Sequence, residues 1–185
     1  MRLALAALLL ALPAYSADWG VQQLFASLAK EKPGRATFQE RKFLSMLDRP
    51  VESSGELTFT PPDTMEKRTL VPRKEVVRVD RERVTLERDG KSRSLQLREN
   101  PAIAVLVESI RATLAGDLDS VVRTYSVGLD GTPARWRLIL RPLDPTASQI
   151  VQRIDISGVE ARVAIVEIQQ ADGDRSVMTV TPAAR

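Results

Sequence analysis

Short runs in which apolar residues alternate with charged ones, punctuated by two-residue turn pairs, recur along the chain. Successive side chains of a strand point to opposite faces, so each run presents one greasy face and one wet one. Between residues 74 and 98 the pairs Val77/Val79, Val84/Leu86 and Leu95/Leu97 alternate with charged partners, and Asp80-Arg81 and Asp89-Gly90 fall where hairpin turns are needed. Similar runs cover 35–47, 55–60, 127–129, 135–141, 150–156, 162–170 and 176–181, with turns expected at Asp130-Gly131, Ser157-Gly158 and Asp172-Gly173. Neighbours joined by such short turns pair antiparallel.

Helical spacing appears in three places. Asp18 can cap a first helix in which Val21, Leu24, Phe25 and Leu28 recur at i, i+3, i+4 and i+7, and Pro33-Gly34 stops it. Asn100-Pro101 opens a second, with Ile103, Leu106, Val107, Ile110 and Leu114 on one stripe and Gly116 at the end, where a left-handed cap is favoured. Asp117 or Asp119 starts a shorter third helix, to about Tyr125. About ten strands and three helices without a linker make one α+β domain. Its sheet, apolar on one face, is expected to curl, and the apolar stripes of the helices belong on the concave side. Incomplete cover there would leave a cavity able to hold an acyl chain, while an ordinary packed core has the same pattern.

The chain has 185 residues with no Cys and no His. Disulfides, thiolate chemistry and imidazole general bases are therefore excluded, and so are most zinc sites. Between Arg73 and Glu99 nine Lys/Arg stand against six Asp/Glu, which reproduces the net charge of +3. These charges fit the solvated outer face of a sheet. That stretch has no aromatic residue, and the chain has two Trp, two Tyr and four Phe in all, a poor supply for stacking bases, so nucleic acid is not an expected partner.

Residues 1–16 read as a secretion signal, with Met1-Arg2, an apolar run from Leu3 to Leu12 and Ala14-Tyr15-Ser16 as the cleavage site. Ten apolar residues are short of the roughly 20 needed to span a bilayer. The expected organisation is a cleaved 1–16 and a periplasmic domain over 17–185.

Motifs for covalent chemistry are weak. Ser27-Leu28-Ala29-Lys30 matches S-x-x-K without its companion motifs, and no nucleophile elbow, phosphate loop or dinucleotide fingerprint occurs. Asp172-Gly173-Asp174 and the pair Asp117/Asp119 suit a turn and a helix cap better than a calcium loop. No enzyme, cofactor or metal is expected.

The order of several motifs resembles the LolA-like outer-membrane lipoprotein carriers over nearly the whole mature chain. In the first half these are Phe38-Gln39, then Ser54-Gly55-Glu56-Leu57-Thr58-Phe59 running into Pro61-Pro62-Asp63, then Pro72 ahead of the Val77-Arg78-Val79 hairpin. In the second half Leu114-Ala115-Gly116-Asp117-Leu118, Trp136-Arg137-Leu138 with Leu140 and Pro142, and Ala171-Asp172-Gly173-Asp174-Arg175-Ser176 are similar to a divergent branch, associated with envelope lipid or aryl-polyene pathways. The resemblance implies a half-open barrel with a helical lid over a hydrophobic cavity. It also implies a carrier that takes the acyl chains of a lipoprotein or glycolipid from an inner-membrane transporter to an outer-membrane acceptor, acting as a monomer and without a covalent step.

Two departures accompany it. Pro61 stands where the family has the arginine that ties the lid, and the family's tryptophan is replaced near Lys67. Lys67 and Arg68 are the candidate replacements for the latch. The candidate cavity residues are Phe38, Leu57 and Phe59, then Leu106 and Ile110 on the lid helix, then Trp136, Leu138 and Leu140. Two other functions stay open at this point: an envelope scaffold binding a protein through the basic sheet face, and a hydrolase built on Ser and carboxylates.

Overall fold

The structure is a computed structural model that describes residues 19–31 and 34–183. The expected secretion signal, its cleavage site, Asp18 and Pro33 lie outside the described residues. In chain order the elements are α1 (Val21–Leu28), β1 (Gly34–Phe43), β2 (Val51–Thr60), β3 (Thr64–Val71), β4 (Glu75–Asp80), β5 (Arg83–Arg88) and β6 (Lys91–Gln96). After a 3-10 turn at Leu97–Glu99 come α2 (Pro101–Ala115), α3 (Leu118–Thr124), β7 (Tyr125–Thr132), β8 (Arg135–Pro142), α4 (Pro145–Ser148), β9 (Val151–Val159), β10 (Arg162–Gln170) and β11 (Arg175–Pro182).

The strands form one antiparallel sheet of eleven, in the order β6-β5-β4-β3-β2-β1-β11-β10-β9-β8-β7. The two halves, each a run of sequential hairpins, are joined where β1 pairs with β11, from Ala36 opposite Pro182 to Phe43 opposite Arg175. β6 and β7 stay as free edges, so the barrel is not closed. Val77 and Val79 on β4 and Ile156 on β9 nevertheless line one cavity. A flat sheet would set those strands about 29 Å apart, so the sheet is strongly curved.

Helices pack on the two flanks of the concave face. Over β7, β8 and β9, Leu24, Phe25 and Leu28 of α1 and Val121 of α3 join Trp136, Leu138, Leu140, Ile154 and Ile156 in one buried cluster. Over the other flank Val79, Val84 and Leu97 form a smaller core with Ile103 and Val107 of α2 packed against it. Gly116 ends α2 with φ 70°, and a Cβ there would lie 2.5 Å from the Ala29 Cβ, so the ends of α1 and α2 meet because the residue is glycine. Asp117 is the cap of α3, accepting from the Ser120 amide at 3.0 Å.

Several expected boundaries are corrected. The first helix starts at Val21 with Gly20 as its cap residue. β3 is an additional strand. Its Glu66-Lys67-Arg68 breaks the alternation because the inward-facing Lys67 is charged. α4, capped by Asp144 accepting from the Thr146 and Ala147 amides, is a single turn too short to show a helical period. Asp130-Gly131 and Ser157-Gly158 are strand residues; the turns fall at Pro133-Ala134 and Glu160-Ala161. The glycine at 158 has a packing reason. It faces Trp136, and a Cβ on it would approach the indole to 2.3 Å. The indole Nε1 donates to the Glu160 carbonyl at 2.7 Å, which ties this turn to the core.

The join between the halves also carries a buried acid. Glu40 on β1 accepts from Ser176 of β11 at 2.7 Å and from Lys67 of β3 at 2.5 Å, so its side chain bridges strands from both halves. Burial alone would raise its pKa, but the Lys67 charge and the hydrogen bonds from Lys67 and Ser176 outweigh it and hold the carboxyl below the ordinary glutamate value of 4.5.

Two outcomes follow for stability. Gly158→Ala should cost about 2–3 kcal/mol in urea unfolding, while Gly173→Ala, whose added Cβ meets nothing within 4 Å, should cost only about 1 kcal/mol of backbone strain. Equal losses at the two sites would refute the packing role of position 158. A carboxylate depressed in the folded state stabilises above its unfolded pKa and loses that contribution as pH falls through the folded value. Unfolding free energy should therefore drop as pH is lowered through and below 4.5, and Glu40→Gln should be less stable at neutral pH with a shallower acid slope. Parallel slopes in the two proteins would remove Glu40 from this account.

Candidate functional site

Between the two packed flanks the middle of the sheet is bare. β2, β1, β11 and β10 have no helix seated tightly on them, and the space above them is a cavity of about 1100 Å³. Its walls are aliphatic. Leu57 and Phe59 of β2, Met65 of β3 and Val77 and Val79 of β4 form one side, and Val163, Val166, Ile168, Met178 and Val180 of β10 and β11 the other. Leu106, Val107, Ile110 and Leu114 of α2 form the roof. These residues are lined up by the period of two in the strands and by the 3.6-residue period in the helix. The mouth lies at the end of the sheet where β1 begins and β11 ends, among the exposed Glu31, Arg35, Arg162, Pro182 and Ala183.

The roof is held from both flanks. The Tyr125 hydroxyl, at the start of β7, donates to the Val105 carbonyl of α2. Burial, with a smaller contribution from the Glu108 charge and against a hydrogen bond with Ser109, pushes that phenol up to about 12, so it remains a donor at any ordinary pH. On the other flank Arg111 of α2 reaches Asp63, in the β2–β3 turn, at 3.5 Å, and also pairs with Glu108 of its own helix at 2.5 Å. Arg111 is largely buried at 18% side-chain exposure, whereas Asp63 at 40% is in contact with water. The pair is therefore a weak tie.

Of the candidate residues, Leu57, Phe59, Leu106 and Ile110 all line this cavity. Trp136, Leu138 and Leu140 do not. They lie at 0–1% exposure beneath α1 and α3 in the packed flank, where the helices leave no room. Phe38 is buried at 2% and its ring is covered by the Lys67 ammonium, 4.8 Å from the centroid. Lys67 and Arg68 are engaged within the sheet, Lys67 with Glu40 and Arg68 with Glu66 at 2.7 Å, while the ion pair joining α2 to the sheet is Arg111 with Asp63.

Sequence reasoning missed the lining supplied by β10, β11, β3 and β4. The signal was present as strand parity, since Val166 and Ile168, and Met178 and Val180, share inward faces. It also missed Glu40, whose inward parity follows from Phe38 two residues earlier.

The weak catalytic motif has an ordinary structural role. The Ser27 hydroxyl donates to the Gln23 carbonyl one helical turn back at 2.8 Å. Asp172 accepts from the Asp174 amide inside its turn, and Asp174 in turn accepts from the Ser45 amide, tying that turn to the β1–β2 loop. Among the described residues there is no cluster of three or more acidic groups placed to hold a metal, and no helix is long and apolar enough to cross a membrane.

Residues 11–185 match the family described as outer membrane lipoprotein carrier protein LolA-like. No curated protein matches the chain at a significant level. Among solved structures it is similar to a LolA superfamily protein of Nitrosomonas europaea, at 9% identity over 87% of this chain and 89% of that one, with a TM-score of 0.49. It is also similar to LprF of Mycobacterium bovis, at 14% identity over 89% and 93% with a TM-score of 0.39. The MucA/MucB complex of Pseudomonas aeruginosa gives 14% identity over 89% of this chain and 56% of that one, with a TM-score of 0.46. The family match spans nearly the whole chain, and an open sheet roofed by a helix is the architecture expected of it: this protein belongs to the LolA-like outer membrane lipoprotein carrier family.

Proposed function

We propose that this protein is a periplasmic carrier that holds acyl chains of a lipoprotein or lipid in the cavity under α2 and moves them from the inner to the outer membrane. The observation that supports this most is the aliphatic cavity of about 1100 Å³ left between two packed flanks. It is slightly above the roughly 300–1,000 Å³ of ordinary ligand pockets. At about 0.8 kcal/mol per buried methylene, one chain of ordinary length supplies ample affinity without a polar contact. Nondirectional contacts of this kind accept varied chains, and release requires no strong bond to be broken.

Transfer in one direction needs only a donor that opens the roof and an acceptor that binds the chain more tightly. α2 suits the role of a movable roof because its tie to the β2–β3 turn is a single half-solvated ion pair. Export to the periplasm fits the basic residue and apolar run that begin the chain. The outer face of the sheet gives less support to a scaffold that binds an acidic partner. Four of its arginines are already matched, Arg78 and Arg68 with Glu66, and Arg137 and Arg153 with Asp155.

Native mass spectrometry of the protein isolated from its own envelope should find a bound acyl species, and an empty protein would count against a carrier. Leu106→Asp and Ile110→Asp should reduce retention of an acyl ligand about tenfold or more while lowering unfolding free energy by about 1 kcal/mol. Leu138→Ala, in the packed flank, should do the reverse, costing about 2–5 kcal/mol of stability with retention intact in the folded fraction. If all three lost stability and retention in proportion, the roof positions would be plain core. Asp63→Asn or Arg111→Met should speed ligand release by up to about fivefold, the scale of a half-exposed ion pair. The exchanged pair, Asp63→Arg with Arg111→Asp, should restore the slower rate, and identical rates throughout would sink the tie.

A further inference from the structure

A cluster of three polar side chains from neighbouring strands interrupts the aliphatic wall. Glu40, Lys67 and Ser176 all line the cavity, with Leu57 opposite Lys67 and Met178 opposite Glu40 in the strand register. Glu40, only 6% exposed, has both oxygens taken: Oε1 accepts from Ser176 at 2.7 Å, and Oε2 accepts from Lys67 at 2.5 Å and from Ser53 at 3.3 Å. Lys42 adds a second positive charge 3.9 Å from Oε1. The carboxylate has little acceptor capacity left for a ligand. Lys67 is in the opposite position. An ammonium has three donors, and Glu40 is its hydrogen-bond acceptor among the described residues, with the Phe38 ring beneath it and 26% of the side chain still accessible.

Resting on the carrier reading above, we propose that Lys67, oriented by Glu40, is a specificity residue that donates a hydrogen bond to an oxygen acceptor on the acyl ligand. The cavity then takes chains carrying an ester carbonyl or a carboxylate in preference to plain hydrocarbon. The aliphatic walls bind the chain, and the single donor sets how deep the chain slides, by stopping it where its oxygen meets Lys67. Glu40 holds the ammonium in place within the wall, where a lone lysine on an apolar surface would not be held.

The test uses the full chain loaded with the fluorescent apolar probe N-phenyl-1-naphthylamine and displaced by laurate, methyl laurate or dodecane. Each ligand's affinity for a variant is divided by its affinity for wild type, which cancels its own solubility. For Glu40→Gln with Lys67→Met, methyl laurate should lose roughly tenfold, the scale of a hydrogen bond to a charged group, and dodecane should stay within about twofold. Laurate losing more than methyl laurate identifies a free carboxylate as the better ligand, and equal losses identify the ester carbonyl; both support the assignment. Lys67→Arg should keep the discrimination. If the double variant no longer binds dodecane, Lys67→Gln, which keeps a neutral donor toward Glu40, reads the same contrast. Equal changes for all three ligands overturn the role of Lys67 and leave the carrier reading standing, whereas wild type that binds neither probe nor ligand overturns both.

Discussion

Three helices of more than one turn cannot cover the concave face of eleven strands, and where the cover fails decides what the molecule offers. α1 and α3 spend their apolar stripes on β7 to β9, and the start of α2 packs over β4 to β6. The strands in the middle are therefore those without a helical partner. An antiparallel sheet that twists and curls can tolerate this, because the curvature brings its flanks toward each other and α2 can reach from one to the other. The resulting hollow stays open because its lining is already committed to the backbone ladder.

The pairing of β1 with β11 is what makes that hollow continuous. Without it each half would be a meander with one apolar face and two edges. With it Ser176 lies beside Glu40, and Met178 and Val180 continue the wall begun by Leu57 and Phe59. Such a contact, between strands more than a hundred residues apart, carries a large loop-closure cost that must be offset by the ladder and the side chains along it. The Ser45 amide bonded to Asp174 seals the far end of the same join. α2 packs on both flanks, Ile103 and Val107 against the smaller core and Ala112 within the larger one, while its polar ties named above are one phenol and one half-solvated ion pair.

Most elements were legible from periodicity, and the failures have specific causes. α2 could be read from Asn100 to Gly116 because the stripe, the proline and the terminal glycine agree with one another. β3 could not, since a strand that turns Lys67 inward lacks the alternation that marks strands. Gly131 and Gly158 carried the composition of turns while serving a strand, in the second case to make room for the indole of Trp136 on the neighbouring strand. Of the expected cavity residues, Leu106 and Ile110 on the α2 stripe and Leu57 and Phe59 on β2 line the cavity. The aromatic and leucine-rich β8 attracted attention for its hydrophobicity, but hydrophobicity does not distinguish a residue facing a void from one facing a helix. Only the placement of α1 and α3 makes that distinction, and it is a tertiary fact.

The Glu40–Lys67 pair is the least expected feature on thermodynamic grounds. Burying two charges removes hydration that their mutual attraction seldom repays, and well-packed apolar residues of similar volume often do as well or better in stability. A sheet already held by eleven strands has no need of this bridge for register, since the flanking Ala36, Leu57, Met178 and Val180 already define which face is inward. What an apolar substitute could not supply is a charged donor inside the cavity. The ring of Phe38 beneath the ammonium and the two serines on the carboxylate lower the cost of keeping that donor there. The site is thus built as a greasy volume with a charged donor fixed in its wall, and on the assignment proposed above a chain that enters it is located along its length and not merely retained.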